Sequence, residues 1–149
     1  MSPSGVGRIF RPAREADASV VRRLLAYAIG SPTEDRLEQV SSAYESNPEL
    51  KIYVLDEGGS ITGVVGARIR CADRAEVLHI AVDPPARRRG AGAYLIQELI
   101  RNESLAEIEA ETDGEAVGFY QKCGFAVESL GEKFPRAERF RCRWVCPAR

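Results

Sequence analysis

One segment of nineteen residues, VLHIAVDPPARRRGAGAYL at positions 77–95, constrains the fold of this chain more than any other feature. It opens with an apolar, β-rich run that ends at Asp83-Pro84-Pro85, where strand hydrogen bonding must stop because proline has no N–H. A helical pattern, with apolar positions three and four residues apart, begins shortly afterwards. A strand followed closely by an amphipathic helix predicts a domain in which helices pack against a sheet.

The turn between this strand and this helix predicts an anion-binding site. Gly90 and Gly92 remove side chains where backbone amides must approach a ligand. The unpaired N–H groups of a first helical turn and the positive end of the helix dipole attract anions. Three arginines at positions 87–89 add positive charge. The expected ligand is a phosphate or a pyrophosphate.

The turn differs from the common nucleotide-binding loops. A Walker A loop needs Lys and then Ser or Thr after its glycines, and neither is present. The spacing R-x-x-G-x-G also differs from the dinucleotide fingerprint G-x-G-x-x-G. Two alternatives remain, a solvated surface patch and an RNA-binding surface, although no aromatic residues alternate with the arginines to stack on bases.

The remaining pattern predicts a mixed fold of the α/β or α+β class, in the order β-α-α-β-β-β-α-β-α-β-β. Asp17 is the expected N-cap of the first helix, and Ser31-Pro32-Thr33-Glu34 matches a capping box for the second, with Ser31 as the N-cap. No repeat or linker interrupts the pattern, so we expect one domain over residues 1–149 with a core of about 8–145. The predicted strands lie at about 7–11, 51–55, 61–70, 75–82, 105–111, 125–130 and 137–145.

Charge and cysteine content limit the functional class. The formal net charge of −1 excludes the basic excess of a dedicated nucleic-acid-binding protein. No apolar run approaches the roughly 18 residues that cross a bilayer, and residues 1–5 lack the apolar core of a signal peptide. The four cysteines lack zinc-binding spacing. We therefore expect a cytoplasmic protein with free thiols, no metal, and no nucleic-acid or membrane partner.

Two motifs resemble the signatures of the GNAT superfamily of N-acetyltransferases. RRRGAG at 87–92 is similar to the first signature, [Q/R]-x-x-G-x-[G/A], and AVGFYQKCGF at 116–125 is similar to the second. The element order also matches from about Arg8 to Trp144. The resemblance implies a single GNAT-like domain with a mixed central sheet of about six to seven strands, flanked by about four helices.

The resemblance further implies acetyl-coenzyme A as a cosubstrate. The first signature would bind its pyrophosphate, and the strand before it would pair its main chain with the pantetheine arm. The residues that the resemblance assigns to coenzyme binding are Ile80, Ala81, Val82, Arg87, Arg88, Arg89, Gly90, Ala91, Gly92 and Ala93.

The implied reaction is direct attack of an amine on the thioester. Tyr120 takes the position of the family's general acid, beside the coenzyme sulfur. A base is needed because free alkyl amines are mostly protonated near neutral pH. Glu76 is the preferred base, since its spacing is similar to that in the histone-acetylating branch. The alternatives are His79, Glu109, Glu111 and a water relay. A backbone N–H at 80–82, freed by a local strand distortion, is expected to meet the oxyanion.

We therefore expect an enzyme that moves an acetyl group to a primary amine of a small molecule or a peptide. The alternatives are a non-catalytic acyl-coenzyme A sensor and an RNA-binding domain. The sequence does not identify the acceptor. Glu34, Asp35 and Glu38 could attract a cationic amine, but a solvated helix face explains them as well. A homodimer is implied because C-terminal strands often pair in this family.

Overall fold

The computed structural model describes residues 7–29, 32–135 and 137–147, with the side chain of Phe134 excepted. Within these residues, seven strands and four helices follow one another in the predicted order. The strands are β1 (Arg8–Pro12), β2 (Leu50–Glu57), β3 (Ser60–Cys71), β4 (Arg74–Val82), β5 (Glu107–Asp113), β6 (Ala126–Phe134) and β7 (Ala137–Val145). The helices are α1 (Ala18–Ala28), α2 (Glu34–Ser46), α3 (Ala91–Glu103) and α4 (Val117–Lys122).

The strands form one mixed sheet in the order β1-β2-β3-β4-β5-β7-β6. Every neighbouring pair is antiparallel except β4 and β5, which are parallel. A parallel pair needs a long crossover connection, and α3 supplies it. The predicted fold, a mixed sheet of six to seven strands with about four helices, is confirmed.

Helices cover both faces of the sheet. On one face, α3 packs Leu95 and Leu99, both fully buried, into a core that also includes residues of α4. On the other face, α1 buries Leu24 and Leu25 against Val54 and neighbouring strand residues. Full burial of each leucine contributes roughly 1.5–3 kcal/mol, so these stripes fix both helix layers to the sheet.

The caps of the first two helices differ from the sequence-based expectation. The side chain of Thr33 caps α2 by accepting the N–H of Arg36 at 3.1 Å, whereas the predicted cap, Ser31, lies outside the described residues. Asp17 stands at the start of α1, but its carboxylate does not cap that helix. It accepts the Arg14 N–H and the Arg11 guanidinium, each at 2.8 Å. Asp17 therefore fixes the turn that precedes α1.

Strands β4 and β5 pair over only four residues each, from Arg74↔Glu107 to Val77↔Ala110. β5 begins two residues later than predicted, since the chain turns after the end of α3 at Ser104, its C-cap, whose φ of 52° is left-handed. Beyond Val77, β4 continues beside β3 alone, with a register shift at that point of the β3–β4 ladder. The two parallel strands therefore separate, and one edge of β4 is left open.

Candidate active site

A cleft of about 1150 Å³ lies where β4 and β5 separate. Its volume exceeds the roughly 300–1,000 Å³ of typical small-molecule sites, so it can hold an extended ligand. Its walls come from the end of α1, the second half of β4, the first turn of α3, the end of β5 and α4. It includes Tyr120 and every predicted coenzyme contact except Arg89.

The first turn of α3 presents a row of unpaired backbone donors to this cleft. Arg88 and Gly90 have left-handed φ angles of 67° and 74°, which open the chain just before the helix. The first hydrogen bond of α3 runs from the Tyr94 N–H to the Gly90 carbonyl at 3.0 Å. Within the described part of the chain, the N–H groups of residues 88–93 have no acceptor. Such a row at a helix N-terminus is suited to bind a phosphate or a diphosphate.

The three arginines of this turn have different environments. The Nε of Arg87 donates to the Val82 carbonyl at 2.8 Å, and its guanidinium lies 5.0 Å from the centre of the Tyr27 ring. Arg88 lines the cleft, whereas Arg89 does not. The carbonyl of Arg89 accepts the Nη2 of Arg8 at 2.9 Å. Arg87 and Arg88 therefore contribute positive charge to the cleft. The hydrogen bonds of Arg8 and Arg87 hold the turn in place.

The two glycines of the turn serve different purposes. Nothing lies within 4 Å of a Cβ placed on Gly90, so its left-handed φ is the reason for glycine there. A Cβ on Gly92 would lie 2.8 Å from Cε1 of Phe119. The expectation that Gly92 clears space for a ligand stays a prediction, and the structure gives a second reason for glycine at this position. Its missing side chain lets α3 pack against α4, which joins the two signature motifs.

Tyr120 on α4 is only 5% exposed, yet it lines the cleft. Its ring packs edge-on against Phe119 and Phe125, with centroids 5.1 and 5.2 Å away. Burial raises the pKa of its phenol, and the neighbouring Cys142 and Cys123 thiols raise it further. The hydroxyl thus stays protonated at neutral pH, in a fixed orientation from which it can donate a proton.

The turn before α4 is held by a carboxylate at the end of β5. Asp113 Oδ1 accepts the N–H groups of Glu115 and Ala116 at 3.0 and 2.9 Å. Thr112, beside it, is buried and lines the cleft. These contacts set the direction in which α4 leaves the sheet, and with it the position of Tyr120.

Glu76 and Glu109 lie side by side on the paired part of β4 and β5. The Glu76 carboxylate forms an ion pair with Arg70 at 2.7 Å and a longer one with Arg68 at 3.7 Å. Neither glutamate lines the cleft. The geometry therefore separates the preferred base, Glu76, from Tyr120 and the open edge of β4, and its catalytic role stays a prediction.

Glu111 lines the cleft, but two cations bind its carboxylate. Arg139 contacts it at 3.2 Å and Lys133 at 3.4 Å. Burial raises the pKa of Glu111, but the hydrogen bond from Arg139 and the charge of Lys133 outweigh this effect, and the net pKa lies below its usual value. Glu111 is therefore ionised and firmly paired, which makes it a weak proton acceptor.

His79 also lines the cleft, and its ring is held by a residue that the sequence did not single out. The Tyr44 hydroxyl of α2 lies 2.6 Å from Nδ1 of His79. Burial lowers the pKa of His79, and the charge of Arg36 lowers it further. The imidazole is therefore neutral at physiological pH and able to accept a proton.

Gly66 makes the Tyr44–His79 contact possible. It pairs with His79 across β3 and β4, and a Cβ there would lie 2.0 Å from the Tyr44 hydroxyl oxygen. Sequence analysis missed this arrangement. Glycine inside a strand marks a close approach of another group, and that was the one available signal.

Three general properties concern metals, membranes and thiols. Among the residues that the structure describes, no group of three or more His, Cys, Asp or Glu side chains could hold a metal ion. None of the described helices is long and apolar enough to span a bilayer. The four cysteines carry free thiols.

Comparison with known proteins agrees with the motifs. A family profile described as "Acetyltransferase (GNAT) domain" matches residues 48–127, more than half of the chain. An uncharacterized N-acetyltransferase in the lysA 3' region of Bacillus methanolicus is 24% identical over 102 residues, which cover 62% of this chain and 85% of that protein.

Solved structures share the fold. The spermidine/spermine N-acetyltransferase SpeG of Vibrio cholerae, in complex with manganese ions, superimposes with a TM-score of 0.73 and 18% identity, covering 97% of this chain and 95% of that one. Ard1 of Thermoplasma volcanium gives 0.74 and 22% identity, covering 96% and 100%. At these identities the likeness concerns the fold alone.

Proposed function

The chain belongs to the GNAT family of acetyltransferases, and from this premise we propose that it transfers the acetyl group of acetyl-coenzyme A to a primary amine. The observation that carries the proposal is the row of unpaired N–H groups at residues 88–93, next to the open edge of β4. The row of N–H groups suits a diphosphate, and the open edge of β4 suits an extended arm with amide groups. Both features belong to one cleft.

In this proposal, the backbone carries most of the binding. The N–H groups of residues 88–93 hold the pyrophosphate, with Arg87 and Arg88 adding charge. The edge of β4 from Ile80 to Val82 pairs with the pantetheine arm as a further strand would. An N–H on this edge, close to the register shift, stabilises the oxyanion.

The proposed reaction forms one bond and breaks another. The neutral amine nitrogen attacks the thioester carbon, the new C–N bond forms, and the C–S bond breaks. Tyr120 donates its proton to the departing sulfur. Its raised pKa keeps that proton available but does not make it a stronger acid, so donation accompanies C–S cleavage. The amine loses a proton to a base near the register shift of β4.

Support for the choice of base comes from the geometry of the cleft. His79 lines it and is neutral, whereas Glu76 lies outside its walls and is bound by Arg70. If His79 Nδ1–H donates to the Tyr44 oxygen, Nε2 keeps its lone pair and can accept the amine proton. We therefore prefer His79 to Glu76, with a water relay as the remaining alternative.

The decisive test has two measurements. Isothermal titration calorimetry with coenzyme A should detect binding, and a thiol-release assay with acetyl-coenzyme A should respond to at least one amine in a diverse panel. The variant Gly90→Val replaces glycine at a left-handed position and should weaken coenzyme binding. The control Gly59→Val makes the same change in the left-handed turn between β2 and β3 and should leave coenzyme binding unchanged. Absence of coenzyme binding by the folded wild-type protein would refute the proposal. Binding without thiol release for any amine would favour the acyl-coenzyme A sensor.

A further inference from the structure

A second, smaller cavity adjoins the cleft on the side of helix α2. It has a volume of about 240 Å³, and we call it the α2 pocket. It shares two lining residues with the cleft, Leu78 and His79. The pocket therefore opens next to the register shift in β4, where the proposed reaction takes place.

The walls of the α2 pocket carry positive charge. Arg36 and Arg68 line it together with Gln39, Tyr44 and His79, and its lining contains no carboxylate. Within residues 7–29, 32–135 and 137–147, no carboxylate lies within ion-pair distance of Arg36. Arg68 lies 3.7 Å from Glu76, whose closer partner at 2.7 Å is Arg70. Both guanidinium groups can therefore bind an additional anion.

The charge of each arginine acts on a side chain that lines the pocket. Arg36 lowers the pKa of His79, after the larger effect of burial. Arg68 lowers the pKa of Tyr44, although burial raises it by more. The pocket thus has a positive potential beside the two side chains that hydrogen bond to each other. A protonated polyamine would be repelled there, and a carboxylate or a phosphate would be attracted.

The acidic side chains of α2 do not reverse this charge. Glu34 and Glu38 both pair with Arg22 of α1, at 3.0 and 2.9 Å. Neither of them lines the pocket or the cleft. The expectation that this helix attracts a cationic amine therefore finds no support in the contacts of these two residues.

We propose that the α2 pocket binds the anionic group of the acceptor, and that the acceptor is a small primary amine that also carries a carboxylate or a phosphate. Arg36 and Arg68 hold the anion, while the amine extends past His79 to the open edge of β4. The small volume favours a compact molecule over a polypeptide. This inference rests on the proposed acetyl transfer and names its substrate class.

The test compares small amines that differ in charge. The probes are β-alanine, its neutral amide, O-phosphoethanolamine and spermidine, each measured with acetyl-coenzyme A in the thiol-release assay. We expect kcat/KM for at least one anionic amine to exceed that for the neutral amide by tenfold or more, since a hydrogen bond to a charged group contributes about 1.5–3 kcal/mol. The preferred probe distinguishes a carboxylate from a phosphate. Equal or better use of the amide or of spermidine would overturn the inference.

Arginine variants test whether the α2 pocket causes the preference for an anionic amine. Arg36→Gln and Arg68→Gln should each lower kcat/KM for the anionic amine, relative to that for the neutral amide, by about ten- to a hundredfold and leave the affinity for coenzyme A unchanged. Arg22→Gln, outside the pocket, is the matched control. An equal loss with every amine would overturn the inference, because it would indicate general damage.

Direct binding separates this inference from the proposed function. Calorimetric titration of the coenzyme-loaded protein with β-alanine or O-phosphoethanolamine should give heat that Arg36→Gln abolishes. Such binding without thiol release from any amine of the panel would refute acetyl transfer while supporting the anion pocket. Thiol release from other amines, with neither anion bound nor used, would refute the pocket and leave acetyl transfer intact.

Discussion

The two sides of strand β4 are built differently. On the proposed coenzyme side, consecutive backbone N–H groups at 88–93 are unpaired, and their exposure depends on the left-handed Arg88 and Gly90. On the proposed acceptor side, the α2 pocket is formed by side chains from separate elements, among them Tyr44 of α2, Arg68 of β3 and His79 of β4.

This difference determines which amino-acid changes each kind of site tolerates. A backbone site depends on the path of the chain, so most side-chain changes leave it intact as long as the path is kept. A side-chain site changes its ligand whenever one of its residues changes. One fold can therefore keep the same acyl donor while accepting different amines.

The largest expected effect tests whether Tyr120 acts in the chemical step. Tyr120→Phe keeps the ring among Phe119 and Phe125 and removes only the proton donor. We expect kcat to fall by roughly 10²–10³-fold, with an unchanged calorimetric Kd for coenzyme A. Tyr94→Phe, which keeps the ring that the Arg8 guanidinium covers, is the control and should retain full activity. An unaltered kcat in the Tyr120 variant would show that Tyr120 takes no part in the chemical step.

The next effect concerns His79 and the pH dependence of the reaction. Because burial and Arg36 lower its pKa, His79 is neutral above a value that lies below 6.5, and kcat should decline as pH falls through that value. His79→Gln should reduce kcat by about 10²-fold and abolish this acidic limb. Arg36→Gln should move the limb upward, since it removes one cause of the lowered pKa. An acidic limb that persists in His79→Gln would assign the base elsewhere.

A smaller effect tests the contact between the two signature motifs. Gly92→Ala places a Cβ against Phe119 and should weaken coenzyme binding by about tenfold, because overpacking of a filled site typically costs 1–3 kcal/mol. Phe119→Leu in the same chain should restore part of the affinity. Gly118→Ala is the matched control, since nothing lies within 4 Å of a Cβ there. Normal coenzyme affinity in Gly92→Ala would show that the motifs are independent.

The smallest effect separates the two candidate bases. Glu76→Gln removes an ion pair at a partly exposed site and should change kcat/KM by less than about fivefold, with the acidic limb of the pH profile unchanged. A large loss of kcat together with loss of that limb would restore Glu76 as the base and contradict the assignment of His79.

The sequence predicted the fold and located the turn that lines the cleft, because both depend on local patterns. Periodic apolar residues determined each element, and the left-handed Gly90 lies within a contiguous motif. The reason for Gly92 could not be read in the same way, since its partner, Phe119, lies on another helix. Motif spacing alone proposed Glu76, and only the three-dimensional arrangement reveals that it does not line the cleft.

The sequence did not predict the proposed acceptor site, for a related reason. Tyr44, Gly66 and His79 come together through the packing of α2 on two paired strands. Nothing in the spacing of these residues indicates that one hydroxyl fills the position of the missing side chain at Gly66. Interactions of this kind depend on tertiary packing, which a linear pattern does not encode.

The contact of Arg8 with the coenzyme turn has a practical consequence. Arg8 lies 81 positions before the carbonyl that it binds, and it also pairs with Glu57 on the neighbouring strand. Fraying of the first strand, whether by heat or by a bulky fusion at the amino end, would release that carbonyl while the interior strands stay paired. If the turn binds coenzyme A as proposed, weaker retention of the protein on an immobilised coenzyme column would then be an early sign of damage, before any loss of the interior strands.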